Sequence, residues 1–443
     1  MKKILILGAG RSSSSLISYL LQNSQNFHFK ILVGDADLTL AQKKIKTHPN
    51  GIAYFFNLND ETSTNDLVAK ADLVISMVPA QMHIQVLKAC LRYSVSMFSA
   101  SYVTSEIKAL EREIRDKGIL VLKECGLDPG LDHMSAMQAI DQIHEKGGKL
   151  ISFRSYTGGL ISPQSDNNPW HYKFTWNPRN VVLAGQGTAK YIMEHQYKYI
   201  PYHQLFSRTE KINTENYGEF EGYANRDSLS YRKIYRLESI PTILRGTIRK
   251  AGFCKAWNLF VQLGLTDDSY RMENSDSLTF RSFIAAFLPP LKNLSVEDAF
   301  CKYLQISRNS EEFNKVEWLG LFEETPVTIN DASPAQVLQS LLEEKWALQK
   351  DDQDMIVMQH QFEYQINGLN KKLISELVVE GEDTIHTAMA KTVGLPLGIA
   401  AKLLFQNKIG LTGLHIPVKK ELYEPILKEL EFMGFSFSHR EDE

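Results

Sequence analysis

The chain opens with an apolar run, Ile4-Leu5-Ile6-Leu7, that ends on Gly8-Ala9-Gly10-Arg11-Ser12-Ser13, after which Leu16, Ile17 and Leu20 recur at helical spacing. A strand that turns through glycines straight into a helix leaves few folds open. Gly8 permits the tight turn, Gly10 lets the backbone approach a ligand, and the helix start offers amide donors and the positive end of its dipole. The loop is therefore suited to an anion such as a pyrophosphate. Ser13 stands where such loops carry a third glycine, and is expected to hold the helix slightly farther from the sheet while offering a hydroxyl. A turn that uses its glycines for sterics alone would look the same over these few residues, so the flanking pattern has to separate the two readings.

That pattern is strand–helix alternation. Apolar strands are predicted at Lys3 to Leu7, Phe29 to Val33, Ile52 to Phe56, Leu73 to Met77, Ser96 to Ser99 and Ile119 to Leu122, with amphipathic helices between them. Alternation at this pace implies right-handed crossovers and a Rossmann-type, doubly wound parallel sheet over residues 1–130. Asp35, just past the second strand, is placed where a carboxylate accepts from both ribose hydroxyls and repels a 2′-phosphate, so NAD is expected in preference to NADP. Asp37 is the better candidate to cap the helix that follows. Asn57-Leu58 and Val78-Pro79, at other strand ends, are expected to line the adenine and nicotinamide sides.

From Lys149 the pattern changes to a second, mixed α/β domain, predicted over residues 131–384. It carries a helical insertion at about 285–350, marked by Leu294 to Leu304 and Pro334 to Leu348. Two later helices are predicted at Thr384 to Phe405 and Leu422 to Met433.

A formal charge of -3 supplies no basic field to neutralise phosphates, which argues against a nucleic-acid partner. Cys90, Cys125, Cys254 and Cys301 are far apart and form no zinc-spaced cluster with histidine, so free thiols in a reducing cytoplasm are expected and no metal. Gly8 and Gly10 end the first apolar run too early for a secretory signal, and no uninterrupted apolar stretch reaches the roughly 20 residues of a membrane helix. A cytoplasmic protein without a membrane partner is the expectation.

Two strand ends carry polar motifs where ligands of open α/β sheets sit. Ser99-Ala100-Ser101-Tyr102 reads on its own as a polar turn before a helix. In Gly126-Leu127-Asp128-Pro129-Gly130-Leu131-Asp132-His133, Asp-Pro-Gly marks a turn and Asp132 can cap the next helix, which leaves Asp128 without a capping role and able to face a nicotinamide.

This last segment, with Ser155-Tyr156-Thr157-Gly158-Gly159-Leu160, Tyr172-Lys173-Phe174-Thr175-Trp176, Asn225-Arg226-Asp227-Ser228, Arg245-Gly246-Thr247-Ile248-Arg249 and Ala390-Lys391-Thr392-Val393-Gly394-Leu395-Pro396, resembles the saccharopine dehydrogenase (L-glutamate-forming) family, also called saccharopine reductase. The segments fall in the same order along nearly the whole chain. The resemblance implies a Rossmann domain to which residues 385–443 return, a central substrate-binding and dimerisation domain, and a homodimer. It implies that Ala100, Ser101, Leu127, Asp128 and Pro129 line the nicotinamide end. Saccharopine would contact Ser101, Tyr102, Asp128, Asn177, Arg226 and Gly246-Thr247-Ile248. Thr157 stands where many relatives carry cysteine, and many fungal relatives use NADP, which sits against the Asp35 reading.

Saccharopine bears three carboxylates and a secondary amine, so guanidinium forks suit it, and Arg226, Arg245 and Arg249 are the candidates. Its oxidation beside the amine, followed by water attack on the imine, gives L-glutamate and 2-aminoadipate 6-semialdehyde, and the reverse is a reductive condensation in lysine metabolism. Asp128 is the expected acid–base group, with Tyr102 placing the amine or water. His133 and His171 lie beside the motifs but suit structural roles better. Two alternatives remain: a carboxynorspermidine-type reductase on the same fold, and a non-catalytic NAD-binding protein.

Overall fold

The computed structural model describes residues 1–290 and 293–442, so two residues of the expected helical insertion, 291 and 292, and the last residue of the expected C-terminal return lie outside it. The chain divides into two units, Met1–Leu150 with Tyr364–Glu443, and Ile151–Glu363.

The first unit opens with β1 (Lys2–Leu7), α1 (Ser14–Asn23), β2 (Phe29–Asp35), α2 (Leu38–Ile45), β3 (Gly51–Phe55), α3 (Glu61–Val68), β4 (Leu73–Ser76) and α4 (His83–Tyr93). It continues through β5 (Ser96–Phe98), α5 (Ser105–Ala109), α6 (Glu111–Asp116), β6 (Leu120–Leu122) and α7 (Leu131–Glu145). The second unit runs from β7 (Lys149–Ile161) through α8 (Pro178–Val182), β8 (Ala189–Met193), β9 (Gln196–Ile200), α9 (Tyr202–Leu205), β10 (Thr209–Thr214), β11 (Gly218–Ala224) and β12 (Thr242–Lys250). Helices α10 (Phe253–Leu263), α11 (Phe280–Ala286), α12 (Val296–Leu304), α13 (Glu311–Trp318) and α14 (Pro334–Lys345) precede β13 (Asp354–Ile366). The chain then adds β14 (Leu369–Glu380), α15 (Ala388–Phe405), β15 (Gly413–His415), α16 (Lys420–Phe432) and β16 (Ser438–Asp442) to the first unit.

The six strands expected in the first 130 residues all form, and they pair in parallel in the order β3-β2-β1-β4-β5-β6, the Rossmann order, with β15 as a seventh parallel strand beside β6. The inner strands are apolar on both faces, as a sheet covered by helices on both sides requires: Ile4, Leu5, Ile6 and Leu7 are all inaccessible to solvent. Helix starts follow from their caps. Asp37 accepts from the Thr39 N–H, as expected, Asp60 from the Thr62 and Ser63 N–H groups, and Thr387 from the Ala390 N–H.

α15 packs closely on α1. A Cβ on Gly394 would fall 2.8 Å from the Leu16 backbone nitrogen and one on Gly398 2.7 Å from the Tyr19 ring, so small residues one turn apart let the two helices approach. α15 is long and apolar enough to cross a membrane, a property the sequence reading did not register because Lys391 and Lys402 interrupt it; 72% of it is buried inside the protein.

The second unit is built on a mixed sheet in the order β10-β11-β12-β7-β13, with β10, β11 and β12 antiparallel and β12 parallel to β7, while the β8–β9 hairpin attaches to β12. Its core is aromatic. Trp170 lies against Phe253, Trp257, Phe260 and Trp346, with ring centroids 5.3–6.4 Å apart.

Candidate active site

The turn after β1 has the geometry its sequence calls for. Gly8 has φ +107°, and a Cβ there would sit 2.8 Å from the Met77 carbonyl oxygen, so only glycine fits. Gly10 differs: its φ is -64° and a Cβ on it would meet no atom within 4 Å. Nothing in the protein requires glycine at that position, whereas a phosphate laid against the backbone would. Gly10 and Arg11 are exposed, Ser12 half-buried and Ala9 buried. Ser13 is buried and donates its hydroxyl to the Gly10 carbonyl at 2.8 Å, closing a short 3-10 turn ahead of α1 rather than presenting the hydroxyl to a ligand.

Asp35 is engaged on both oxygens. One accepts from the Ala9 N–H at 2.6 Å and the other from the Asp37 N–H at 2.9 Å, so the carboxylate ties the glycine turn to the end of β2. Asn57 is exposed, but Leu58 is 9% exposed and belongs to the core cluster, against which Val78 also packs; these two are more wall than contact surface.

At the C-terminal edge of β5 and β6 the structure brings the two polar motifs together. The Tyr102 hydroxyl donates to Asp128 Oδ1 at 3.1 Å. A Cβ on Gly126 would lie 2.7 Å from that of Ala100, which shows how closely the two loops approach. Asp128 and Pro129 are joined by a cis peptide bond. Glu124 fixes the backbone beside Tyr102 by accepting from the Val103 N–H at 2.9 Å, while its other oxygen pairs with His133 Nε2, also at 2.9 Å. His133 is fully buried in that pairing, a structural role. His171 pairs with Asp166 at 2.8 Å. Asp132 does not cap α7 from the N-cap position; it lies in the first turn and accepts from the Gly130 N–H at 2.6 Å. Leu127 is buried, and Ala100, Ser101, Tyr102 and Asp128 are half-buried.

Beneath this edge lies a set of groups that sequence reading missed. His83, at the start of α4, bridges Ser76 Oγ at 2.8 Å and Ser101 Oγ at 2.7 Å, and Lys123 donates to Ser99 Oγ at 3.2 Å. Burial, helped by the nearby Lys123 charge, pushes the His83 pKa down to about 3, and burial lowers that of Lys123 to about 7 against the pull of Glu124. The available signal was a lysine closing an apolar strand that the fold buries on both faces.

In the second unit, Gly246, Thr247 and Ile248 lie on β12, where Thr247 is opposite Tyr223 of β11 and Thr157 of β7. The Thr157 hydroxyl is buried and has no hydrogen-bond partner among the described residues. Arg245 is 7% exposed with its guanidinium 4.2 Å from the centre of the Tyr231 ring, and Arg249 is 4% exposed against Tyr172 and Phe253. Arg226 is exposed, in the left-handed conformation with φ +50°. Asn177 is exposed and caps α8 by accepting from the Arg179 N–H. All four cysteines are buried and free, and burial raises the Cys90 and Cys125 thiol pKa values. Among the described residues no group of three or more His, Cys, Asp or Glu side chains is placed to hold a metal.

Residues 126–435 match the family described as saccharopine dehydrogenase C-terminal domain, and residues 4–122 match the saccharopine dehydrogenase NADP binding domain. The chain belongs to the saccharopine dehydrogenase family. It is 32% identical to the NADP(+), L-glutamate-forming saccharopine dehydrogenase of Saccharomyces cerevisiae, over 97% of each chain. It is 35% identical to the mitochondrial alpha-aminoadipic semialdehyde synthase of Bos taurus over 99% of its own length, but spans only 47% of that relative, about half. The fold matches the solved apo saccharopine dehydrogenase (L-Glu forming) of Saccharomyces cerevisiae with a TM-score of 0.89, 29% identity and full coverage of both chains. A homospermidine synthase from Legionella pneumophila shares the fold at a TM-score of 0.58 and 10% identity, covering 99% of this chain and 91% of that one.

These likenesses overturn the expectation of NAD over NADP: the matched nucleotide domain is an NADP binding domain, and the fungal relatives are named for NADP(+). The geometry shows why Asp35 misled. A carboxylate already accepting two backbone N–H groups serves the turn, so its presence at the end of β2 is no measure of how a 2′-phosphate would be received.

Proposed function

We propose that this saccharopine dehydrogenase family member is an oxidoreductase acting on the CH–NH group of saccharopine. It would cleave saccharopine to L-glutamate and 2-aminoadipate 6-semialdehyde, or run the reverse condensation in lysine metabolism, with NADP(H) as the cofactor. The observation that carries the reading is the Tyr102–Asp128 pair on the ligand edge of a Rossmann sheet, in a chain matched end to end by a saccharopine dehydrogenase. In this reading the first unit binds the dinucleotide. The glycine turn and the start of α1 hold the pyrophosphate, and Ala100, Ser101, Leu127 and Pro129 flank the nicotinamide. The bound nicotinamide takes up or returns the hydride.

Asp128 holds and moves the proton that the substrate amine loses and the product amine regains, and Tyr102, donating to Asp128, keeps that carboxylate oriented. In the second unit, β12 with Gly246, Thr247 and Ile248 presents backbone and a hydroxyl to saccharopine, and Asn177 adds an amide. Arg226 is the guanidinium best exposed to grip a carboxylate. Arg245 and Arg249, stacked on buried rings, shape the strand that carries the site. A homodimer and a cytoplasmic location belong to this proposal too, the latter in keeping with four unbridged cysteines.

The test is to mix the protein with NADP+ and saccharopine and follow nicotinamide reduction together with glutamate release. Equal production of both is expected. Protein that binds NADPH yet reduces no NADP+ in the presence of saccharopine would overturn the assignment.

A further inference from the structure

Three strand ends and one helix start meet below Ser101. Ser76 closes β4, Ser99 follows β5, Lys123 follows β6 and His83 opens α4, and none is more than 1% exposed. Ser99 Oγ lies 3.2 Å from both Lys123 Nζ and the Ser101 backbone nitrogen. His83 Nε2 lies 2.7 Å from Ser101 Oγ and 3.5 Å from Ser99 Oγ, with Nδ1 2.8 Å from Ser76 Oγ.

The direction of these bonds follows from what each group can do. An ammonium carries donors only, and so does a backbone N–H. Ser99 Oγ therefore uses both lone pairs in accepting from Lys123 and from Ser101 N–H. Its own hydrogen has to point elsewhere, and the acceptor in reach is His83 Nε2. A hydrogen on Nε2 would face that hydroxyl hydrogen head-on among side chains no more than 1% exposed, where such a clash is costly. The ring is neutral, because burial and the lysine charge both oppose a second proton. Its one hydrogen then sits on Nδ1 and is donated to Ser76. The lone pair of Nε2 is shared unequally, taking the hydroxyl hydrogen of Ser101 at 2.7 Å as its main bond and that of Ser99 at 3.5 Å as a long, weak one.

We propose that Lys123, Ser99 and His83 act as positioning residues that turn the Ser101 hydroxyl inward, leaving its oxygen to accept from an N–H group of the bound ligand. Ser101 is thereby an acceptor and not a donor toward the site. Two ligand groups have the matching chemistry, the carboxamide of the nicotinamide and the secondary ammonium of saccharopine. The proposal rests on the reading that places these ligands at Ser101.

Nitrogen-15 NMR of the histidine rings at about pH 6, where Lys123 is still mostly an ammonium, tests the direction without any turnover. His83→Gln identifies the His83 signals. The Nδ1–H tautomer is expected in the parent protein, and an Nε2–H tautomer there would overturn the proposal. Lys123→Met removes the donor at similar length, and the Nε2–H form is expected to appear; an unchanged tautomer would overturn the role of Lys123.

The ligand arms compare NADPH with its 3-acetylpyridine analogue, which has a methyl ketone in place of the carboxamide N–H. If the carboxamide is the donor, Ser101→Ala abolishes an approximately tenfold preference for NADPH, the worth of one neutral hydrogen bond. If the amine is the donor, that preference stays and KM for saccharopine rises about tenfold instead. Absence of both changes in Ser101→Ala would overturn the acceptor role of Ser101. His83→Gln, whose amide reaches the Nε2 position, is expected to retain most of the effect that His83→Asn, reaching only Ser76, loses. Equal loss in both would reduce His83 to a packing residue and overturn its positioning role. A protein with the expected tautomer and NADPH binding but no turnover of saccharopine would count against the substrate, not against the bond direction.

Discussion

Gly8 and Gly10 are two residues apart in one turn, yet the structure assigns them opposite reasons for being glycine, and replacing each by alanine separates folding from binding. At Gly8 an alanine would be held at φ +107°, a region closed to L residues, for a strain of about 1–3 kcal/mol. Its Cβ, 2.8 Å from the Met77 carbonyl oxygen, would overlap a backbone atom that cannot rotate away, for about 1–3 kcal/mol more. Gly8→Ala should therefore destabilise the first unit by about 4 kcal/mol in all. At Gly10 the φ of -64° suits any residue and no protein atom lies within 4 Å of the new methyl, so Gly10→Ala should leave stability unchanged or raise it by up to about 1 kcal/mol. The methyl would instead occupy the space a phosphate needs, costing about 1–3 kcal/mol of affinity, or about 10- to 100-fold in Kd for NADPH. Unfolding should be followed by far-ultraviolet circular dichroism, because all five tryptophans lie in the second unit, and binding by NADPH fluorescence. Unchanged NADPH affinity in Gly10→Ala would refute the placement of the phosphate, and unchanged stability in Gly8→Ala would refute the steric argument.

Three further outcomes are expected. Asp128→Asn should lower kcat by roughly 100-fold or more through loss of the proton-transfer group, with Tyr102→Phe losing less, and rates within a factor of two of the parent would exclude the assigned roles. Lys173→Met strands the buried carboxylate of Asp352, 2.6 Å away, and should cost the second unit about 3–5 kcal/mol in denaturant unfolding followed by tryptophan fluorescence, with Lys173→Met/Asp352→Leu recovering most of it. Lys123, lowered from 10.5 to about 7 in the folded protein, binds a proton in the unfolded chain that the folded chain releases across that window, so folding gains stability as pH rises through it. Relative to Lys123→Met, the parent should gain about 1.4 kcal/mol per pH unit between those limits and nothing below them; a flat difference would show the amine titrating normally.

The nucleotide half was largely legible because its signals are local. The glycine turn, the six apolar strands, the helix cap at Asp37 and the polar motifs at residues 99–102 and 126–133 each follow from a few neighbouring residues and appear where their spacing puts them. α15 was legible as a helix. Its apposition to α1 was not, because the contact joins Gly394 to Leu16, far apart in the chain.

Asp35 marks the limit of local reading. Its type and position are those of a ribose ligand, and only the three-dimensional turn shows the Ala9 N–H already occupying one oxygen, a contact between residues 26 positions apart. Lys123 and His83 were hidden for the same reason: the apolar strand before Lys123 hints at a buried end, but not at which groups from β4, β5 and α4 enclose the amine. Local chain chemistry dictates which segments become strands, turns and helix starts, since each depends on backbone sterics and hydrogen bonds within a few residues. Charge state, hydrogen-bond direction and which polar groups remain for a ligand depend on neighbours brought together from across the sheet, so they exist only once the chain has packed.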